Sequence, residues 1–159
     1  MSQADLAAAL GRATAPDDCY AALMELARAE VGLRLFTVMI ADMEAGLVRR
    51  AFTSHPQDYP ASGTKPIRLN AWFETMQRGE TFVAADVRDH PDQFPDADTI
   101  EALGCGSVVN VPVHSGGALI GAVNLLDTRG TYRPEEAGRL TSSLALPALA
   151  ALLAAQRLG

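Results

Sequence analysis

The segment from Cys105 to Asp127 constrains this chain more than any other. A short, mostly apolar stretch, Ser107-Val-Val-Asn-Val-Pro-Val113, leads to the pair Gly116-Gly117, and a second apolar stretch, Ala118-Leu-Ile-Gly-Ala-Val-Asn-Leu-Leu126, follows at once. Two such runs joined by a glycine pair predict one antiparallel hairpin, because glycine supplies the positive φ that a tight turn requires. Alternation places Val109, Val111 and Val113 on one face and Val108 and Asn110 on the other, while Asn124 shares its face with Ile120, Ala122 and Leu126. Asn110 and Asn124 each interrupt an otherwise apolar strand. A buried amide is costly unless its donors and acceptors are matched, so each is expected to find either backbone partners or a ligand.

A length of 159 residues suits one domain with one core. The longest uninterrupted apolar run, Leu144 to Ala155, falls short of the ~20 residues that cross a bilayer, and no basic leader precedes an apolar stretch at the N-terminus. A soluble, cytoplasmic protein without a membrane partner is expected. Cys19 and Cys105 form neither a metal-type spacing nor a disulfide framework, so both are expected as buried free thiols in a reducing compartment. The formal charge of −6 argues against nucleic acid, whose phosphates call for surplus Lys and Arg. The one basic pair, Arg49-Arg50, lies on a candidate strand and points to opposite faces.

Along the chain, Ser2 to Leu10 is helix-forming and is expected to stop at Gly11. Thr14 and Asp17 resemble a capping box ahead of a helix running to about Val31, with Pro16 in its first turn; Tyr20, Leu23, Met24, Ala27 and Val31 form one stripe, with Cys19 at its edge. Leu33 to Asp42 is apolar on both faces, the pattern of a central strand. After a turn at Glu44-Ala45-Gly46, Leu47 to Thr53 is expected to pair with it, Val48 and Phe52 on one side and Ala51 on the other. Ser54 to Pro66 carries three prolines and Gly63, which predicts a lid-like loop with no regular element. Asn70 can cap a helix bearing Trp72, Phe73 and Met76 and stopped by Gly79; a short strand over Thr81–Ala84 follows, then a loop with Pro91 and Pro95, and a helix from about Asp98 to Leu103 with Glu101 at the capping-box position. Two long loops in one compact domain are more often functional than idle. The last helix is predicted from Pro134, with Glu135 and Glu136 at its positive end and Pro147 disturbing one turn. It is apolar nearly all round beyond Leu140, which predicts a second covering partner, most simply the same helix of another copy in a homodimer.

The wording of the hairpin, CGSVVNVPVHSGGALIGAVNLLD, followed by TYRPEE and a Leu/Ala-rich tail, resembles the terminal half of a GAF domain. The resemblance implies one α+β domain over residues 1–159: N-terminal helices over 1–32, a profilin-like antiparallel sheet of about five or six strands with a loop-rich excursion over 33–132, and a closing helix over 133–159. Terminal helices would cover one face, and loops and short helices the other, often around a cavity. The function implied is a non-catalytic, small-molecule-binding sensory module without a cofactor.

Residues that could contact a ligand beneath the excursion are His55, Tyr59 and Lys65 from the proline-bearing loop, Trp72 and Phe73 from the following helix, and Asn110 and Asn124 from the hairpin. Trp72 and Phe73 are neighbours on a helix and cannot both point one way. His90 and His114 read as ordinary loop residues. Two alternatives stand beside the sensor. One is a dimerisation module whose cavity is filled by its own side chains. The other is a thiol enzyme, since the resemblance extends to free methionine-sulfoxide reductases, GAF-like enzymes with a nucleophilic cysteine; Cys105 lies nearer the strand than their pattern places it, and no resolving cysteine occurs between Cys19 and Cys105. A tetrapyrrole thioether does not fit Gly104-Cys105-Gly106. No phosphate-cradling loop, hydrolase triad or HExxH-type metal motif is present in the sequence.

Overall fold

The computed structural model describes residues 1–159. Its elements are α1 (Gln3–Arg12), α2 (Pro16–Glu30), β1 (Leu35–Asp42), β2 (Leu47–Thr53), β3 (Lys65–Pro66), α3 (Ala71–Gln77), β4 (Phe82–Ala84), α4 (Ala97–Ala102), β5 (Ser107–Ser115), β6 (Ala118–Asp127) and α5 (Ala137–Leu158), with 3₁₀ turns at Val87–Asp89 and Pro134–Glu136. The strands form one six-stranded sheet in the order β3-β2-β1-β6-β5-β4, and every adjacent pair is antiparallel. This is an α+β fold.

The hairpin closes through a two-residue loop. Ser115 pairs with Ala118, and Gly116 and Gly117 take φ of 61° and 82°, the left-handed pair that matches the twist of the flanking strands. β1 lies between β2 and β6, as its two-sided apolarity requires. Phe36, Val38, Val109, Val111, Val123 and Leu125 project from the sheet onto α2 and α5, where Cys19, Tyr20, Leu23, Leu140, Leu144 and Leu152 complete the main core. Burying each of these leucines stabilises the fold by about 1.5–3 kcal/mol before chain entropy is counted. By length and composition Pro134–Leu158 could cross a bilayer, unlike the shorter apolar run seen in the sequence; here Leu140, Leu144, Ala148, Ala151 and Leu152 lie fully buried in the domain core.

Several local expectations change. α1 runs through Gly11 to Arg12, started by a Ser2–Asp5 capping box. The carboxylate that caps α2 is Asp18, not Asp17: its Oδ2 accepts from the backbone N–H groups of Thr14 and Ala15, each at 3.0 Å. Cys19 is fully buried rather than at a stripe edge, and Leu26 and Ala22 make a second stripe against Leu6 of α1. Glu101 makes no capping box; it pairs with Arg88. The proline-bearing loop does contain a regular element, β3, where Pro66 is tolerated because the strand is a sheet edge.

Two bulges overturn the predicted faces. Register slips between Val38 and Met39 opposite β2, so Val38 meets Phe52 while Met39 meets Arg50, and Ala51 is the extra residue. Phe52 therefore joins Tyr20 and Phe36 on the helix side, with ring centroids 5.9 and 6.0 Å away, while Val48 packs on the opposite side. A second slip leaves Ile120 unpaired between Leu119 and Gly121; Ile120 turns toward the helices, away from Asn124, and Leu119 takes the other face. A bulge sets two residues against one and so reverses the alternation beyond it.

Candidate functional site

The excursion between β2 and β5 covers the sheet face opposite α2 and α5 and leaves a half-open cavity of about 260 Å³ above it. Its floor is a single cross-strand row. Asn110 of β5 faces Asn124 of β6, which faces Thr37 of β1. The three side chains are linked in one direction: Trp72 Nε1–H donates to Asn110 Oδ1 at 2.9 Å, Asn110 Nδ2 donates to Asn124 Oδ1 at 2.6 Å, and Asn124 Nδ2 donates to Thr37 Oγ at 3.1 Å. An indole nitrogen can only donate, so Trp72 fixes which end of Asn110 faces it, and that choice fixes Asn124 in turn.

Local sequence explains how Trp72 reaches the row. Asn70 caps α3, its Oδ1 accepting from Phe73 N–H at 2.8 Å, and Gly79 at φ 77° lets the chain leave past its end. With the helix phase set, Phe73 is buried beside Met76, Ala41, Leu119 and Ala122, and Trp72 faces the cavity. Val108, Leu126, Ile100 and Phe94 form an apolar wall, and Met39 and Val48 lie toward β2.

The two loops are latched to each other over this floor. Tyr59 O–H donates to Asp96 at 2.6 Å, joining the Ser54–Pro66 loop to the segment before α4. Burial, and after it the bond to Asp96, pushes the Tyr59 phenol well above its ordinary pKa. Arg50, which the β2 bulge turns to this side, stacks its guanidinium 3.8 Å from the Tyr59 ring centroid and donates to Pro60 O at 3.0 Å. Ser62 returns the loop to β2 through reciprocal bonds with the Arg50 backbone, each 3.0 Å. Gln93 also lines the cavity, and its Oε1 is buried without a hydrogen-bond partner.

Of the residues expected from sequence, Tyr59, Lys65, Trp72, Asn110 and Asn124 come together around this cavity. His55 does not: its ring Nδ1 lies 2.7 Å from Ser54 Oγ, and its backbone N–H donates to Thr53 Oγ. Phe73 belongs to the core and to an adjoining groove of about 540 Å³ that shares Met39, Val48, Lys65 and Trp72 with the cavity. His114 is a strand residue bonded to Gln77 O. Thr37, Arg50, Ser62, Gln93 and Asp96 line the site and were not anticipated. Thr37 carried a signal, as a polar residue inside an apolar strand; Gln93 and Asp96 sit in a loop without periodicity.

Cys105 packs beneath the excursion with Leu35, Ile100, Val108 and Leu126, outside the cavity lining, while Cys19 lies in the core across the sheet. Burial first, then the Asp127 charge, pushes the Cys105 thiol up.

An antiparallel sheet with terminal helices on one face and a loop-built cavity on the other defines a small α+β sheet-and-helix domain. The sequence matches the GAF domain family over residues 13–152, and the chain belongs to that family, whose members serve as sensory and signalling modules. Solved structures share the fold. The GAF domain of a two-component sensor histidine kinase from Bacillus halodurans superposes with a TM-score of 0.67 at 13% identity, covering 91% of this chain and 96% of that one. A free methionine-R-sulfoxide reductase from Neisseria meningitidis, in complex with its substrate, gives 0.69 at 18% identity, covering 97% and 87%. Residues 122 to 287 of a methyl-accepting chemotaxis protein give 0.68 at 18% identity, covering 96% of each chain. No curated protein sequence matches this one.

Proposed function

We propose that this GAF domain is a non-catalytic sensor that binds a small organic molecule in the cavity between the Asn110–Asn124–Thr37 row and the Tyr59–Asp96 latch. The observation that carries the reading is a polar row of fixed direction lying open to a cavity, with one buried acceptor, Gln93 Oε1, still without a partner. Such groups are costly to bury empty and suit a ligand that completes them. Binding that favours one arrangement of the latched loops shifts the population toward it, and β1, β5 and β6, which carry the row, also carry the core contacts to α2 and α5. The test is isothermal titration against a broad metabolite panel, followed in parallel by the emission of Trp72, the only tryptophan in the chain. Saturable heat with a change in emission supports the sensor; silence across the panel removes it.

Homodimerisation through the terminal helices belongs to the same reading. Leu146 and Leu153 of α5 stand 67% and 39% exposed, on the side of the helix away from the core. Light scattering of the wild type and of a Leu146→Glu/Leu153→Glu variant tests it: a dimer that the variant dissociates is expected. Thiol chemistry is disfavoured because Cys105 is buried, carries a raised pKa and has the sheet between it and Cys19. Free buried thiols suit a reducing, cytoplasmic location.

A further inference from the structure

The geometry points to a small organic carboxylate, with an apolar body, as the ligand of this cavity; the inference rests on the sensor reading above and names its chemical class.

The hydrogen-bonded row runs in one direction. Because Trp72 can only donate, every bond from it to Thr37 runs the same way, and each acceptor oxygen of the two amides is turned toward its neighbour. Each amide nitrogen keeps one hydrogen that meets no protein acceptor, and Thr37, which accepts from Asn124, has a hydroxyl proton with none either. The floor therefore offers donors, and what completes it is an acceptor; Gln93 Oε1, on the excursion rather than the floor, is the one lining group that still calls for a donor.

Charge on the lining points the same way. The chain is acidic, with 19 Asp and Glu against 13 Lys and Arg, yet the side chains on the cavity side reverse that balance, with Arg50 and Lys65 against Asp96 alone. Arg49 pairs with Ile40 and leaves on the helix side, and Arg50 is occupied by the Tyr59 ring and Pro60 O. Lys65, directly opposite Val48 on the cavity side, makes no ion pair. Asp96 already accepts from Tyr59 and repels a second anion nearby. One cation without an ion pair, on the same lining as a donor floor, fits a single negative charge, such as a carboxylate, better than a phosphate dianion. Phe94, Ile100 and Leu126 then receive the apolar body.

Two matched series test this: phenylacetate, phenylacetamide, phenethylamine and phenyl phosphate, and hexanoate, hexanamide and hexylamine. Each is titrated by calorimetry and by Trp72 emission. A carboxylate is expected to bind at least about tenfold more tightly than its own amide, the factor that a hydrogen bond to a charged group supplies. Lys65→Met should erase most of that preference, and because Lys65 is exposed the variant keeps its fold. Thr37→Val should weaken carboxylate binding by a similar factor, and Thr37→Ser should restore it. An amide, amine or phosphate that binds as tightly as the carboxylate overturns the assignment, as does a preference that survives Lys65→Met. If both series are silent while an uncharged metabolite binds in the broad panel, the carboxylate is wrong and the sensor reading stands; silence in both panels overturns both.

Discussion

Asn110 and Asn124 face each other across the β5–β6 pair, and the amide nitrogen of the first donates to the amide oxygen of the second at 2.6 Å. Each amide is therefore matched by the other, and the pair is held in one orientation by Trp72 at one end and Thr37 at the other. A polar row in this position serves structure and site together. It anchors α3 to the sheet through Trp72, and it leaves its remaining donors at the cavity.

Removing both amides of the row should cost less than the two single losses added together. Asn110→Leu leaves the Trp72 N–H and the Asn124 Oδ1 unpaired, at about 1–3 kcal/mol for each buried group. Asn124→Leu strands Asn110 Nδ2 in the same way. The double variant should lose less than the sum, by a coupling of about 0.5–3 kcal/mol. Urea denaturation followed by circular dichroism measures all three; strict additivity would show that the bond contributes nothing specific.

All three tyrosines are pushed above their ordinary pKa, and burial is the first cause for each. The unfolded chain begins to lose phenolic protons near pH ~10, where the folded chain keeps them. Above that pH the unfolded state binds fewer protons, so stability falls as pH rises, by at most about 1.4 kcal/mol per pH unit per tyrosine. Absorbance at about 295 nm should therefore report tyrosinate in one cooperative step with alkaline unfolding. Tyr59→Phe and Tyr132→Phe should each flatten the alkaline fall. Gradual titration near pH ~10 in the folded protein would contradict the burial of these rings.

Gly121 has no room for a side chain. A Cβ there would collide with the Met39 carbonyl oxygen and stand 2.9 Å from Leu152 Cδ2. Gly121→Ala should destabilise by about 3 kcal/mol, since neither the β1 backbone nor α5 can yield without losing core contacts. Gly11→Ala, at a helical position with open space around it, should be neutral or stabilising. Paired thermal melts of the two variants make the comparison.

Both thiols should resist modification in the folded state. Cys19 is 0% and Cys105 4% exposed, and burial raises both pKa values. An aromatic disulfide reagent near neutral pH should react with neither until denaturant is added, and then with both. Rapid reaction of Cys105 in the native protein would revive the thiol-enzyme reading.

The order of elements was legible in the sequence because short-range physics writes it there: the glycine pair set the β5–β6 turn, Asn70 and Gly79 bounded α3, and two-sided apolarity marked β1 as central. Asn110, Asn124 and Trp72 could be singled out by the same logic of polar or aromatic groups at constrained positions. What sequence could not decide was which side of the sheet Phe52, Arg50 and Ile120 would take, because a bulge reverses alternation and is set by packing between strands rather than by the strand itself. Nor could it bring Gln93, Asp96 and Tyr59 together, since loop residues meet only once the sheet beneath has fixed where each loop begins and ends. The donor row is likewise a tertiary fact, created when antiparallel register sets residues 37, 110 and 124 side by side and an indole from a separate helix determines which way every amide must face.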